Sequence, residues 1–401
     1  MMALVSRIRA RLQRDLGPLR YLLQDPASHR VTLHCPEPVE PSDDPREVAL
    51  VERIFHSFAR MKADQRQAPQ CTLPSSLWQR QLDEGYAFLS ASLRAGDRKP
   101  FHFFLANFGA WKTYHGLEPT TLIWERMASA LGRRYLKNAL FYQPLQFWKA
   151  FFNHRRPLTC LTYPTHGNQA GAYLEGVFVG PGSFSNDIYG SLLSGIIRDR
   201  KRPVVADLGA GYGKLGYFTL RDREEFAFID FDLPETVCLA AYYLMKVWPG
   251  KRTLLYGEVP YSPATHGQYD LIFMPSYEIS KAGRASIDLV INKDSLGEMT
   301  KEAVIHYVGA IAEATRYFFH LNHDRDLPAL ARHEQGLLGS EYPVPETFRL
   351  LFRSPDMSHA VSNGGEAAGV DRFAYLYERN DQAEAMPLGV DRLLAQEAEA
   401  P

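Results

Sequence analysis

Cysteine is scarce in this chain, long apolar runs are missing, and net charge is almost nil. The 401 residues hold only Cys35, Cys71, Cys160 and Cys238, and no two are near neighbours. That spacing excludes a CxxC zinc or redox site and a dense disulfide framework, and it suits a reducing, cytoplasmic compartment. No run of ~18 apolar residues exists, so no membrane span is expected. Lys and Arg total 45 against 46 for Asp and Glu. A balance that close gives no global attraction to nucleic acid or to an acidic membrane. Internal repeats and low-complexity tracts are also lacking. With 45% hydrophobic and 23% charged residues, the chain is neither disordered nor fibrous.

Hydrophobic periodicity then divides the chain. At the N-terminus, Arg7, Arg9, Arg11 and Arg14 interrupt Leu4, Ile8, Leu12 and Leu16. The interruption argues against a secretory signal and predicts a basic surface helix docked on its own domain, with a membrane-surface helix as the alternative. Helical stripes follow at Val48, Val51, Ile54, Phe55 and Phe58, and at Trp78, Leu82, Tyr86, Leu89 and Leu93. Phe101, Phe103, Phe104, Phe108, Trp111 and Tyr114 form an aromatic patch that reads as core or as a stacking platform. Residues 121–152 read as helical again. The expectation is a helical N-terminal cap over 1–157, then a glycine-rich connector over 158–200 with a helix at 187–198.

From 201 to 380, strands alternate with helices. Strands are predicted at 204–207, 226–230, 271–274, 289–292 and 318–322, with helices at 234–247 and 301–317 and a late antiparallel strand at 372–378. Such alternation implies parallel pairing with right-handed crossovers, that is, an open α/β sheet covered on both faces. Residues 381–401, rich in Ala, Glu and Pro, read as a tail.

The informative segment is Val-Val-Ala-Asp-Leu-Gly-Ala-Gly-Tyr-Gly-Lys-Leu-Gly at 204–216. Glycine is required where the backbone takes positive φ or where a ligand touches main-chain atoms. A glycine turn after a parallel strand lies at the sheet edge where open α/β folds bind ligands. Gly211-x-Gly213-x-x-Gly216 formally satisfies a dinucleotide fingerprint. Three details favour S-adenosylmethionine over a dinucleotide or a purely structural turn. Asp207 would repel a pyrophosphate but suits a sulfonium and an α-ammonium. The next strand ends in Asp230-Phe-Asp232, where a carboxylate can take both ribose hydroxyls. The chain also has only this one glycine turn, behind a long helical section.

With these residues the sequence resembles the class I S-adenosylmethionine-dependent methyltransferases, whose first motif matches Asp-Leu-Gly-Ala-Gly-Tyr-Gly at 207–213. Asp-Leu-Pro at 232–234 is shared with plant-type small-molecule O-methyltransferases and with a bacterial group named for sugar O-methylation. That bacterial group is also similar at 239–244, at Asp-Leu-Val-Ile-Asn-Lys-Asp-Ser-Leu-Gly-Glu-Met over 288–299, and at 317–322. Weaker likeness reaches Gly-Asn-Gln-Ala-Gly at 167–171 and Asn-Phe-Gly-Ala-Trp at 107–111. Gln169 stands where the group has Pro, and Lys293 places a charge inside the 292–298 motif. The resemblance implies a Rossmann-like fold with a seven-stranded, mostly parallel sheet and S-adenosyl-L-methionine as cofactor. It points to Asp232 as the ribose ligand. The implied reaction is methylation of a small-molecule hydroxyl, on a sugar or glycosylated metabolite. A phenolic or polyketide-type acceptor and a non-catalytic scaffold are the alternatives.

The expected cofactor set is Asp207, Gly209, Ala210, Gly211, Tyr212, Gly213, Asp230, Asp232, Leu233, Ser276, Tyr277 and Asn292. Ser276 and Tyr277 follow the third strand, where adenine lies in this family. Methyl transfer to a hydroxyl is an in-line displacement that needs alignment and a base. The base should project from loops after strands four and five, so Asn292, Asp294, Glu298 and His323 are the catalytic candidates, with His320 and Asp324 nearby. Glu298 reads equally as a cap of the 301–317 helix, and Asn292 equally as a partner of buried backbone. His320 reads as packed within its strand. His166 and Asn168 could reach the acceptor. His320-x-x-His323-Asp324-x-Asp326 is not expected to hold a metal, because positions three apart on a strand face opposite ways. Mg²⁺ on carboxylates beside a sugar diol is the alternative. No nucleic-acid partner is expected, and the chain could assemble as a homodimer.

Overall fold

The computed structural model describes residues 30–110, 129–324, 336–356 and 371–380. The basic N-terminal helix, Trp111, Tyr114, Asp326 and the tail lie outside them. Among the described residues, eight strands form the main sheet: β4 (Val204–Leu208), β5 (Ala227–Asp232), β6 (Thr253–Leu255), β7 (Leu271–Pro275), β8 (Ile287–Lys293), β9 (Thr315–His323), β10 (Phe348–Pro355) and β11 (Arg372–Arg379). Their order is β10-β11-β9-β8-β4-β5-β7-β6. All neighbours from β6 to β9 pair in parallel, while β11 runs antiparallel to both β9 and β10. This is the expected Rossmann-like α/β sheet, with one correction: it has eight strands, not seven. The periodicity missed β6, which is three residues long, and β10, whose alternation is broken by a register shift between Leu350 and Phe352.

The central strands are apolar on both faces because helices cover both. Val205, Phe228, Leu289 and Ile291 pack into one core, and Ala206, Ile229, Ile272 and Val290 into the other. The helix Pro234–Val247 is buried from Pro234 to Leu244, because the N-terminal helix Pro45–Asp64 covers its outer side. A helix that is apolar all round needs such a second cover.

Pro45–Asp64 begins where Asp44 accepts a hydrogen bond from the Arg46 amide and Pro45 occupies the first turn. The stripe from Trp78 to Leu93 divides into two helices, Ser76–Glu84 and Ala87–Ala95, and a third, Lys99–Asn107, follows. Phe101, Phe104 and Phe108 are core residues. The N-terminal region is not wholly helical. The strand β1 (Val31–His34) pairs antiparallel with β2 (Gly171–Leu174), which pairs with β3 (Val177–Val179). The cap and the connector thus share a small sheet across the boundary expected at 157. The helix Ala130–Leu136 passes through a π-turn, Lys137–Tyr142, into Gln143–Phe151. Among the described residues, no helix is long and apolar enough to cross a membrane.

Candidate active site

The sheet changes winding direction at β4, whose neighbours β5 and β8 take the chain to opposite sides. A crevice forms at the carboxyl ends of strands at such a point. Here it is a cleft of about 600 Å³, floored by the glycine turn and the ends of β4, β5 and β8. Its walls come from residues 72–75 and Trp78, from the π-turn with Pro144, and from the start of the helix Ser183–Ile196.

The turn needs its glycines. Gly209, Gly211 and Gly213 have φ of 78°, 63° and 84°. A Cβ on Gly209 would also lie 2.2 Å from Ser295 Oγ. Gly209, Ala210, Gly211 and Tyr212 line the cleft, whereas Gly213 acts from behind as the left-handed N-cap of the helix Lys214–Leu220. Tyr212 is held between Phe108 and Tyr243, at ring distances of 5.2 and 5.1 Å.

Asp207 lines the cleft at 2% exposure, and its Oδ1 has no hydrogen-bond partner among the described residues. Burial, and then the Asp232 carboxylate, push its pKa up to about 8, while Lys293 pulls it back. A buried carboxyl lacking a partner favours a cationic or donor ligand. Asp232 lines the cleft as well. It accepts from the Gly211 amide at 3.0 Å and the Leu233 amide at 2.7 Å, and burial raises its pKa to about 6 against those bonds. Leu233 and Ser276 complete this end, Ser276 accepting a hydrogen bond from the Tyr307 hydroxyl at 2.9 Å.

Besides Gly213, three more expected cofactor residues do not line the cleft. Asp230 is fully buried behind it, opposite Asp207 in the β4–β5 register. Burial, then Asp232 and Asp207, drive its pKa far upward. Tyr277 donates instead to the Met61 carbonyl at 3.0 Å and sets its ring edge against Tyr256, because the helix Pro45–Asp64 covers that side of the sheet. Asn292 is fully buried and committed to structure. Its Nδ2 donates to the Leu208 carbonyl at 2.7 Å, and its Oδ1 accepts from Asn322 at 2.8 Å.

The opposite end of the cleft collects Asp294, Glu298 and His323 with Arg372. Asp294, at a left-handed φ of 66°, accepts from Arg372 Nη1 at 2.5 Å. Burial raises its pKa, but Arg372 and Lys293 outweigh that and hold it below the ordinary carboxylate range. Glu298 sits in the short turn Leu296–Glu298 and does not cap the following helix; Thr300 does, accepting from the Ala303 amide. Glu298 Oε2 accepts from Trp78 Nε1 at 2.8 Å, and burial lifts its pKa to about 7 against that bond. His323 Nδ1 lies 2.8 Å from Asp371 Oδ2, which leaves Nε2 for the cleft.

Other sequence candidates lie elsewhere. Asp324 accepts from Tyr375 at 2.6 Å and from Arg353 at 2.5 Å. His320 is packed as expected, 4.6 Å from the Tyr375 ring, and burial lowers its pKa to about 3. Asn168 holds Asn107 and the Glu37 carbonyl, and His166 faces Tyr243; neither lines the cleft. Sequence reasoning passed over Trp78, Lys214, Asn186, Asp371 and Arg372 as site residues. Only Arg372 and Asp371 carried a signal, as charges opening the late strand.

No protein-family model matches the chain, and no curated protein matches it either. Among solved structures it is similar to magnesium protoporphyrin IX methyltransferase from Synechocystis with bound SAH, at 13% identity over 49% of this chain and 84% of that chain, with a TM-score of 0.33. Geranyl diphosphate methyltransferase in complex with SAM gives 7% identity, 48% and 85% coverage and a TM-score of 0.35. Mitomycin 7-O-methyltransferase MmcR gives 11% identity, 70% and 69% coverage and a TM-score of 0.31.

Proposed function

We propose that the chain is an S-adenosylmethionine-dependent O-methyltransferase acting on a small-molecule hydroxyl, in particular that of a sugar or glycosylated metabolite. The observation that carries this reading is the pairing of Asp207 and Asp232 around the bare turn Gly209–Ala210–Gly211. Asp207 offers an unpartnered Oδ1 to an ammonium. Asp232 ends β5 where it can accept from ribose hydroxyls, and Ser276 lies at the end of the neighbouring β7. When bound, S-adenosylmethionine supplies an electrophilic methyl group.

The chain's own part is to hold the acceptor and remove its proton. His323 is the base. Asp371 fixes its Nδ1 side and favours the tautomer with Nε2 free, so Nε2 takes the hydroxyl proton and Asp371 stabilises the resulting imidazolium. Glu298, close to half-ionised near neutral pH, is a second proton site in the same wall. Asp294 is tied to Arg372 and serves the geometry. The polar groups of Glu298 and His323 in the lining suit a polyhydroxylated acceptor. The apolar face of Ala139, Leu140, Pro144 and Phe184 would equally take a phenolic ring, which supports that second acceptor class.

The test is calorimetric titration with S-adenosylhomocysteine and NAD, followed by mass-spectrometric screening of sugars, nucleotide sugars, glycosides and phenols for a gain of one methyl group. Binding with product supports the proposal. Binding without product from any acceptor points to the scaffold, and tighter binding of NAD overturns the cofactor.

A further inference from the structure

We propose that Lys293, acting with the N-terminus of the helix Ser183–Ile196, forms a carboxylate subsite that receives the α-carboxylate of the methyl donor. The inference rests on the cofactor reading above and adds the residues that read the donor's amino-acid end.

Three features meet at one corner of the cleft. The first is the helix terminus. This is a 14-residue helix whose N-cap, Gly182, brings no side chain to the first turn. The Ser183 amide bonds to the Gly180 carbonyl and the Asn186 amide to that of Gly182. The amides of Phe184 and Ser185 find no acceptor among the described residues, and both residues line the cleft. Free amides at a helix start attract anions.

The second feature is Lys293. Its ammonium lies 3.3 Å from Asn186 Oδ1, a long bond that tethers it beside that terminus. The register explains the direction. Asp207 faces Ile291 across the β4–β8 pairing, and Lys293 is two positions further along β8, hence on the same face of the sheet. Lys214 also lines this region, its ammonium 4.1 Å from the Tyr163 ring centre.

The third feature is independent of both: the almost fully buried Asp207, with Oδ1 unpartnered. A buried carboxyl and a lysine flanking free amides make a receptor for a zwitterion. An ammonium meets Asp207, and a carboxylate meets Lys293 and the two amides. The charge that sets Lys293 apart within the 292–298 motif thereby gains a role.

The experiment compares S-adenosylhomocysteine with its decarboxylated analogue, 5′-deoxy-5′-(3-aminopropylthio)adenosine, by calorimetry. The proteins are the wild-type chain and the variants Lys293→Met and Lys293→Arg. The readout is the ratio of the two affinities, because a general loss of donor binding moves both ligands together. The expected wild-type ratio is about 10–100, as for a charge-assisted contact. Lys293→Met should bring the ratio near unity, and Lys293→Arg should restore most of it. A ratio unchanged in Lys293→Met overturns the subsite and leaves the lysine to an anionic acceptor. A wild-type chain that binds neither ligand overturns the cofactor reading itself. Thermal melts that match the wild type establish that each variant is folded.

Discussion

His323 and Asp371 face each other at 2.8 Å across the last two central strands, where the β9–β11 pairing ends with His323 opposite Arg372. The carboxylate fixes one ring nitrogen, and the cleft receives the other. In the reaction proposed above, this pair separates proton removal from cofactor binding, because neither residue belongs to the glycine turn.

His323→Ala should therefore lower kcat by about 100- to 10,000-fold while leaving S-adenosylhomocysteine affinity within a few-fold. Asp371→Asn should fall in the same direction by less. Steady-state kinetics on the first acceptor identified, paired with calorimetry, checks both. A parallel loss of donor affinity would return these residues to a structural role.

Asp232→Ala should weaken S-adenosylhomocysteine by about 10- to 100-fold, the size of hydrogen bonds to a charged group. The same change in Asp230 should affect folding more than binding, since Asp230 lies behind the cleft. Titration alongside urea unfolding separates the two effects.

Asp207 makes stability depend on pH. Its folded pKa of about 8 stands above the ordinary 3.8, so the native state holds the proton more tightly than the unfolded chain. Stability from this group is full below pH ~4, declines as pH rises toward 8, and is constant above. Glu298 adds a decline of the same sign between its ordinary 4.5 and about 7. Asp207→Asn should flatten the curve and melt above the wild type at pH 8, while losing donor affinity. Thermal melts across pH 5 to 9 test it.

Gly209→Ala should be costly although it adds one methyl group. The residue has φ of 78°, and a Cβ would press on Ser295 Oγ at 2.2 Å. Backbone strain alone accounts for about 1–2 kcal/mol. Urea unfolding should show at least that loss, and donor binding should disappear with it.

The strands β4, β5, β7, β8, β9 and β11 were legible because apolar runs stopped by turn residues have few other uses. The glycine turn was legible for the same local reason. What stayed hidden depends on distance. Trp78 meets Glu298 from 220 residues away, and Asp371 meets His323 from 48 away. No periodicity encodes such a meeting. Tyr277 shows the reverse failure. Its place after β7 suited adenine, but the helix Pro45–Asp64 had already claimed its hydroxyl. Asn292 was drawn into the backbone for a related reason. The Leu208 carbonyl at the end of β4 is buried, and the amide of Asn292 meets it.

The helix Pro45–Asp64 is fastened along the far edge of the sheet. Arg53 forks onto Glu258 at 2.5 and 2.9 Å, Ser57 donates to the Tyr256 carbonyl at 3.0 Å, and Tyr277 reaches back to Met61. The same leading segment supplies the indole beside Glu298. Dissecting the chain near residue 157 would thus not yield a small autonomous unit. It would strip the outer cover from the Pro234–Val247 helix and remove one wall of the cleft.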